Sequence, residues 1–291
     1  MGLLDGLSSL GFGETEKISL FEEEKKEPAK KKPVEEKKPE IKEEDFLYDK
    51  SFECPVCSHS FKQRAVRSNQ ARLLKEDMDL RPVYNGIDVN KYDVVACPQC
   101  GYASLTRFHG SLAKPFRDLI RQNISTKFTS LPPTGAVMSY EDAFTRYKLS
   151  LLNAVVRKGK NSEKAFICLK TAWLLRSMQE SVVADEKLST DEKKEKVKQL
   201  KAQEIEYLRN AHEGFVKART NETPPYAGGM NTVTMDYLIG AIACEAGVAY
   251  RDAARVLEEV AINPQAGKHI KDNAVELIAI LKQKLNEQNP E

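Results

Sequence analysis

The 291-residue sequence lacks the long apolar runs that carry a chain across a membrane. No run approaches the roughly 18 apolar residues that a membrane-spanning helix needs. The first residues, Met1–Asp5, have neither the basic head nor the long apolar stretch of a signal peptide, and Gly6 replaces the serine or threonine of a myristoylation signal. We therefore expect a cytoplasmic protein with no transmembrane segment.

Motifs that carry catalysis are also missing. The sequence contains no Gly-x-Ser-x-Gly, no His-Glu-x-x-His and no phosphate-binding glycine loop. The acidic segment Glu76–Asp79, with His59 or His109, is the one candidate for an active site. We interpret this segment as a solvated surface turn that pairs with nearby arginines, namely Arg64, Arg67 or Arg72. These absences favour a protein without enzymatic activity.

Cysteine is scarce, but four of the six cysteines fall in two matching turns. The first cysteine turn is Cys54–Cys57 (Cys-Pro-Val-Cys), and the second is Cys97–Cys100 (Cys-Pro-Gln-Cys), which Gly101 follows. A Cys-x-x-Cys turn places two sulfurs about one ligand–ligand distance apart, and zinc favours four thiolates. Proline presets the backbone of the turn, and glycine lets the chain fold back over the metal. The sequence therefore predicts one zinc site with four ligands: Cys54, Cys57, Cys97 and Cys100.

The spacing of the two cysteine turns is unusual, because 39 residues separate Cys57 from Cys97. In common four-cysteine sites, about 15–20 residues separate the two cysteine pairs. The insertion adds under about 1 kcal/mol of loop-closure cost.

A redox pair or a disulfide framework is the alternative to a zinc site, although redox pairs normally occur singly and disulfides are typical of secreted chains. Four sulfurs leave no position for water or substrate, so we predict a structural site, with His59 and His109 beside it or on the surface.

Charge of either sign is not in excess. The chain has 45 basic and 43 acidic residues, a formal net charge of +2. Residues 51–130 carry twelve basic and seven acidic residues, and zinc with four thiolates adds −2. The resulting net positive charge of residues 51–130 is too small to indicate nucleic-acid binding by itself. Few aromatic residues alternate with the basic ones, so the sequence predicts no platform for stacking bases.

Residues 1–45 are predicted to be a disordered charged tail. Residues 22–45 hold ten acidic residues, eight basic residues, three prolines and no aromatic ring. Such a segment cannot bury enough apolar surface to offset its ordering entropy. Two apolar islands, Leu3–Leu10 and Ile18–Phe21, are docking segments or inert stretches. The second is similar to peptides that bind the bacterial sliding clamp, but Lys17 stands where those peptides carry glutamine, so we favour inert stretches.

Residues 46–113 form the predicted cysteine module, a small zinc-ribbon-like set of antiparallel strands. Ser60–Arg67 and Tyr92–Ala96 have strand-like patterns, and the second delivers Cys97 to the metal. Gln70–Lys75 is predicted to form a helical turn. We expect the core of the cysteine module to be largely the metal itself.

Residues 114–288 form the predicted helical body, in which apolar residues recur at helical spacing. Ser139 and the capping box Ser189–Glu192 mark helix starts. Cys168 and Cys244 lie on apolar stripes, so we predict core positions for both.

One hairpin of the helical body has a repeat-like pattern. The segments Tyr237–Gly247 and Tyr250–Val260 resemble a tetratricopeptide hairpin in the order of their leucine, glycine and alanine positions. Gly240 and Ala253 are expected to let the two helices approach, with Ile239, Val256 and Leu257 filling the seam. One repeat cannot bury its own face, so neighbouring helices must stack on it.

A wider resemblance covers about residues 50–285. The two cysteine turns, the intervening Asp-Met-Asp-Leu, the block Tyr92–Ala103 and the later Ala172–Arg176 together resemble the bacterial uncharacterised family called domain of unknown function 2225. The resemblance implies a zinc-ribbon-like module on a tetratricopeptide-like body, with no assigned activity. The fold class predicted is α+β, mostly α, with antiparallel helical repeats.

We predict a non-enzymatic zinc-binding scaffold for protein interaction. Zinc folds the cysteine module, and the helical pairs present a groove for a protein or peptide partner, with polar residues of Lys187–Arg219 along its rim. The alternative is a nucleic-acid-binding protein that uses the cysteine module. An enzyme is the least favoured possibility.

Overall fold

The computed structural model describes residues 42–67 and 69–288. Within these residues, three small antiparallel sheets precede seven α-helices, which confirms the predicted α+β, mostly α, class. The predicted tail, with Leu3–Leu10 and Ile18–Phe21, lies outside the described residues except for 42–45. Glu43–Phe46 forms a 3₁₀ turn, and Glu43 pairs with Lys91 at 2.8 Å. Regular structure therefore begins before residue 46.

The strands form three hairpins. They are β1 (Leu47–Glu53) with β2 (Ser60–Val66), β3 (Leu73–Glu76) with β4 (Pro82–Tyr84), and β5 (Val94–Ala96) with β6 (Ala103–Leu105). The first and third hairpins each enclose one cysteine turn. Each turn is thus the connection of its own hairpin, which explains how two distant sequence segments present sulfurs in the same way.

The prediction of a helical turn at Gln70–Lys75 is wrong. Leu73–Glu76 is strand β3, whose residues Leu73 and Glu76 lie opposite Tyr84 and Pro82 of β4. The leucines at positions 73 and 74 are exposed, so no apolar helix face forms there. Pairing with β4, which local sequence does not reveal, determines the conformation.

The helices follow in order. They are α1 (Lys114–Ile120), α2 (Tyr140–Val156), α3 (Asn161–Ala184), α4 (Thr190–Asn221), α5 (Thr232–Ala246), α6 (Tyr250–Ile262) and α7 (Lys268–Gln288). Ser139 caps α2 by accepting a hydrogen bond from the Asp142 amide, and Ser189 and Glu192 form the predicted capping box of α4. None of the described helices has both the length and the apolar composition needed to cross a membrane.

The main core joins the strands to the helices. Val94 of β5 and Leu105 of β6 share one buried cluster with Tyr147 of α2 and Trp173 of α3. The Gln63 side chain ties β2 to β5, because its amide donates to the Val94 carbonyl and accepts from the Ala96 amide. The expectation that the metal supplies most of the core is therefore wrong. The third hairpin is buried because α2 covers it.

The helices α5 and α6 form the close hairpin that was expected. Gly240 of α5 lies against Leu257 of α6, and a Cβ added at Gly240 would lie 2.8 Å from Leu257 Cδ2. Leu257 is fully buried, so its side chain has no space into which it can move. The assignment of this hairpin as a tetratricopeptide-like repeat stays a prediction.

We expect Gly240→Ala to destabilise the protein although alanine is the better helix former. Alanine gains about 1 kcal/mol over glycine in a helix interior, whereas overpacking a closed core costs about 1–3 kcal/mol. The matched control is Gly267→Ala, because a Cβ at Gly267 has no heavy atom within 4 Å. Chemical denaturation should show a lower free energy of unfolding for the first variant and no loss for the second. Equal stability of the two would contradict the close approach.

Candidate metal centre

The four predicted cysteine ligands come together. Their sulfur atoms all lie within 4.8 Å of one another. The Cys54–Cys100 sulfurs are 3.5 Å apart and the Cys57–Cys97 sulfurs are 3.6 Å apart. A tetrahedral ion with metal–sulfur bonds of about 2.3 Å requires sulfurs about 3.8 Å apart. The cluster therefore has the size and the donor atoms to hold one metal ion.

Both cysteine turns have the same backbone hydrogen bonds. The amide of the first cysteine donates to the carbonyl two residues after the last cysteine, from Cys54 to His59 at 2.9 Å and from Cys97 to Tyr102 at 2.8 Å. These bonds close each turn at the end of its hairpin. The two hairpins therefore present two sulfurs each, and an ion placed among them links β1–β2 to β5–β6.

The residue after each last cysteine has a left-handed backbone. Ser58 has φ 61° and Gly101 has φ 72°. Ser58 is exposed, whereas a Cβ at Gly101 would lie 2.6 Å from the Phe128 ring. Glycine is required in the second turn because of both its φ value and this close contact. The sequence argument identified the first reason and missed the second.

The sulfurs lie in an apolar pocket. Cys54 and Cys97 are each 1% exposed, and Tyr102, Ile120 and Ile124 pack around the cluster. The segment that contains α1 and the following turn thus covers the site. Apolar burial excludes water from a metal–thiolate centre, which favours a structural site.

Without a cation the four sulfurs cannot all be ionised. Hydrogen bonds from the Cys100 and Cys54 thiols lower the pKa of Cys97 to about 2. The same bonds to Cys54 and Cys97, together with burial, raise the pKa of Cys100 far above its usual value. Four thiolates this close repel one another, so the cluster retains protons unless a cation binds. A divalent cation replaces those protons, so binding of a metal releases them.

Neither flanking histidine belongs to the sulfur cluster. His109 Nε2 lies 3.1 Å from the Glu53 carbonyl, and its ring is 5.9 Å from that of Tyr102. Burial lowers the pKa of His109. His59 stacks on Phe61 of β2. Both histidines support the hairpin that carries the first cysteine turn, and both are partly buried.

The prediction of a solvated surface turn at Glu76–Asp79 is wrong. Asp79 is fully buried, and its carboxylate accepts hydrogen bonds from Arg176 at 2.9 Å and from Trp173 Nε1 at 3.0 Å. Asp77 pairs with Arg81 at 2.6 Å. The acidic segment therefore attaches the β3–β4 hairpin to α3. The partners predicted for it, Arg64, Arg67 and Arg72, do not bind it in the described residues.

The buried network extends to α4 through Arg176. Arg176 Nε lies 2.8 Å from Glu204, which is itself fully buried. Burial lowers the pKa of Arg176, but the carboxylates of Asp79 and Glu204 outweigh burial and raise it above its usual value. Arg176 therefore links the cysteine module, α3 and α4 through charge-assisted hydrogen bonds.

The acidic segment also lines an open cleft of about 510 Å³. His269 lies beside Glu76 in this cleft, and neither His59 nor His109 lines it. The cleft therefore does not bring the acidic segment together with either histidine of the candidate active site. The other two cysteines, Cys168 and Cys244, are buried in helices as predicted, and burial raises the pKa of Cys168 to about 12.

Comparison with known proteins places the chain in a family that has no assigned activity. The sequence profile of the family described as "Uncharacterized protein conserved in bacteria (DUF2225)" matches residues 47–281. An uncharacterized protein of Borreliella burgdorferi is 21% identical over 156 residues, which cover 48% of this chain and 56% of that protein. The match thus spans about half the length of the curated relative. No solved structure matches the chain.

Proposed function

The chain belongs to this bacterial family of uncharacterized proteins, and we propose that it is a non-enzymatic scaffold for protein interaction whose cysteine module is held by zinc. The observation that carries the proposal is the closed cluster of four sulfurs. Four protein thiolates fill all four coordination positions of a tetrahedral ion, so no position is left for water or substrate. The metal then organises the chain and takes no part in a reaction.

Zinc is the proposed ion because of the donor set. Tetrahedral sites of four sulfurs bind zinc or iron. Among divalent ions without redox chemistry, zinc has the higher affinity for thiolate ligands. All six cysteines are free of disulfides, which fits the reducing cytoplasm in which we place the protein. Metal analysis of purified protein distinguishes zinc from iron directly.

The helical body supplies the proposed docking surface for a protein or peptide. Helix α4 spans Thr190–Asn221, and one side of it packs on α3 and α5 through buried residues such as Leu208 and Phe215. The other side is rich in exposed lysine and glutamate. Helical pairs that expose such faces commonly bind partner chains. We therefore propose the exposed face of α4 as the rim of the groove.

Cross-linking mass spectrometry tests this proposal on the full-length, zinc-loaded chain. The tagged protein is purified from its native host with bound partners, and a lysine-specific cross-linker is applied. We expect cross-links from one recurrent partner to lysines of α4, such as Lys194 and Lys198. Cross-links confined to Lys50 or Lys62 of the cysteine module would contradict the assignment of the surface.

A charge-reversal pair provides the control. Lys194→Glu with Lys198→Glu changes exposed residues of α4, and Lys282→Glu changes an exposed lysine of α7. Recovery of the partner should fall at least about tenfold with the α4 variant and remain unchanged with the α7 variant, since losing each interfacial charge pair costs about 1 kcal/mol or more. Equal recovery of the partner with the natural protein, the α4 variant and the α7 variant would refute the proposal that the chain is a scaffold.

A further inference from the structure

A second cleft, of about 610 Å³, lies between the cysteine module and the helical body. One of its walls is a face of the β1–β2 hairpin, which presents Tyr48, Lys50 and Phe52. The opposite wall is α3, with Phe166 and Trp173. This volume falls within the range of about 300–1,000 Å³ that is typical of ligand sites.

Aromatic rings and basic groups alternate in this cleft. Lys50 Nζ lies 5.3 Å from the centre of the Phe52 ring, and Tyr48 lines the same wall. On the helical side, the Arg107 guanidinium lies 5.2 Å from the centre of the Phe166 ring. Phe166 and Trp173 are only 8% and 5% exposed, so the ring faces available to a ligand are those of the half-buried Tyr48 and Phe52, which lie next to Lys50 on the hairpin wall.

Two of the positive charges that line the cleft have no ion-pair partner among the described residues. Lys170, deeper in the cleft, pairs with Asp93 at 2.6 Å, and Arg64 pairs with Asp49. Within the described residues, no carboxylate lies within salt-bridge distance of the other two basic side chains that line the cleft, Lys50 and Arg107. The cleft thus has a positive balance that an anionic ligand would offset.

We propose that this cleft binds a single-stranded nucleic acid. Unpaired bases stack on aromatic side chains at about 1–3 kcal/mol per base, and basic side chains track the phosphates. An acidic peptide would use the cations but not the ring faces, so the paired pattern favours nucleic acid. This inference concerns a surface distinct from the face of α4 and does not depend on the scaffold.

The sequence argument predicted no stacking platform, because it looked for aromatic and basic residues that alternate locally. The residues of the two walls are far apart in the sequence, since Phe52 and Phe166 are separated by 114 positions. Folding brings them together when β1–β2 packs near α3. A site assembled in this way has no local sequence pattern.

The binding experiment uses the full-length zinc-loaded protein and fluorescein-labelled oligothymidine or oligouridine of about 12 nucleotides. Fluorescence anisotropy measures the dissociation constant as salt rises. Two phosphate contacts predict a slope of log K against log[salt] of about −1.4, which is about sevenfold weaker binding at about 200 mM than at about 50 mM. Tighter binding of oligouridine would identify RNA as the ligand, and tighter binding of oligothymidine would identify DNA.

Single substitutions separate charge from stacking. Lys50→Ala and Arg107→Ala should each reduce the steepness of the salt slope by about 0.7. Phe52→Leu and Tyr48→Leu keep apolar bulk and should weaken binding at least about fivefold without a change of slope. Lys148→Ala is the matched control, because Lys148 lies 4.5 Å from the centre of the Phe144 ring and does not line the cleft.

Three results would overturn the proposal. One is the absence of binding of either oligonucleotide up to about 100 μM at low salt, since even non-specific sites bind in that range. Another is binding that the cleft variants leave unchanged. The third is binding of polyglutamate with equal affinity and equal sensitivity to Phe52→Leu, which would assign the cleft to an acidic peptide. Zinc content and thermal unfolding verify that each variant is folded.

Discussion

Cys97→Ser should release the metal and cause the largest loss of stability of any single substitution in the chain. Serine cannot supply the fourth thiolate, and the remaining three, of which Cys54 and Cys100 are buried, would be left with incomplete coordination. Structural zinc contributes about 10–16 kcal/mol of apparent binding free energy in small zinc-finger peptides. We therefore expect a destabilisation above about 4–5 kcal/mol. Elemental analysis should find less than one zinc per chain, and thermal unfolding should begin at a lower temperature.

The control for this variant is Cys244→Ala. Cys244 is also buried, but it lies in α5, near Lys284, and outside the sulfur cluster. This variant should keep one zinc per chain and lose only the contacts of one sulfur atom, about 1 kcal/mol. If Cys97→Ser and Cys244→Ala retain the same amount of zinc, the sulfur cluster is not the metal site.

Asp79→Ala should cost about 3–5 kcal/mol, because it removes one of the carboxylates that pair with the buried Arg176 guanidinium and leaves the Trp173 indole without an acceptor. Asp79 is fully buried between Arg176 and Trp173. The substitution deprives the guanidinium of one carboxylate and the indole of its acceptor. Urea denaturation measures the loss. Because Asp79 belongs to the cysteine module and Arg176 to the helical body, the β3–β4 hairpin should also become more susceptible to limited proteolysis.

Two controls distinguish charge from shape in this network. Asp79→Asn keeps an oxygen that can accept from Trp173 but removes the charge, so we expect a loss between that of alanine and that of the natural protein. Asp49→Asn affects the exposed pair with Arg64, whose atoms lie 3.5 Å apart, and should change stability by less than about 1 kcal/mol. If Asp49→Asn and Asp79→Ala cost the same, the network does not join the two parts of the protein.

Local sequence predicted those features whose cause is local. The cysteine turns were found because ligand type, proline and spacing lie within six residues. The caps at Ser139 and Ser189 were found because a helix start is decided by side chains three positions apart. The seam at Gly240 and Leu257 was found because the two helices are consecutive.

Features that depend on distant partners were missed. Asp79 has its partner Arg176 on a helix 97 positions away, and nothing near Asp79 distinguishes a buried carboxylate from a solvated one. One signal was available, since Asp-Met-Asp-Leu and Ala172–Arg176 were both among the segments that carried the family resemblance, and they contain residues that contact each other. Strand β3 and the aromatic–basic cleft were missed for the same reason.

X-ray absorption at the zinc edge, on full-length protein purified without added metal, tests the central claim most directly. The account predicts one zinc per chain and a single shell of four sulfur atoms at about 2.3 Å. Protein that lacks stoichiometric zinc, or a shell that contains nitrogen or oxygen in place of one or more sulfurs, would contradict it.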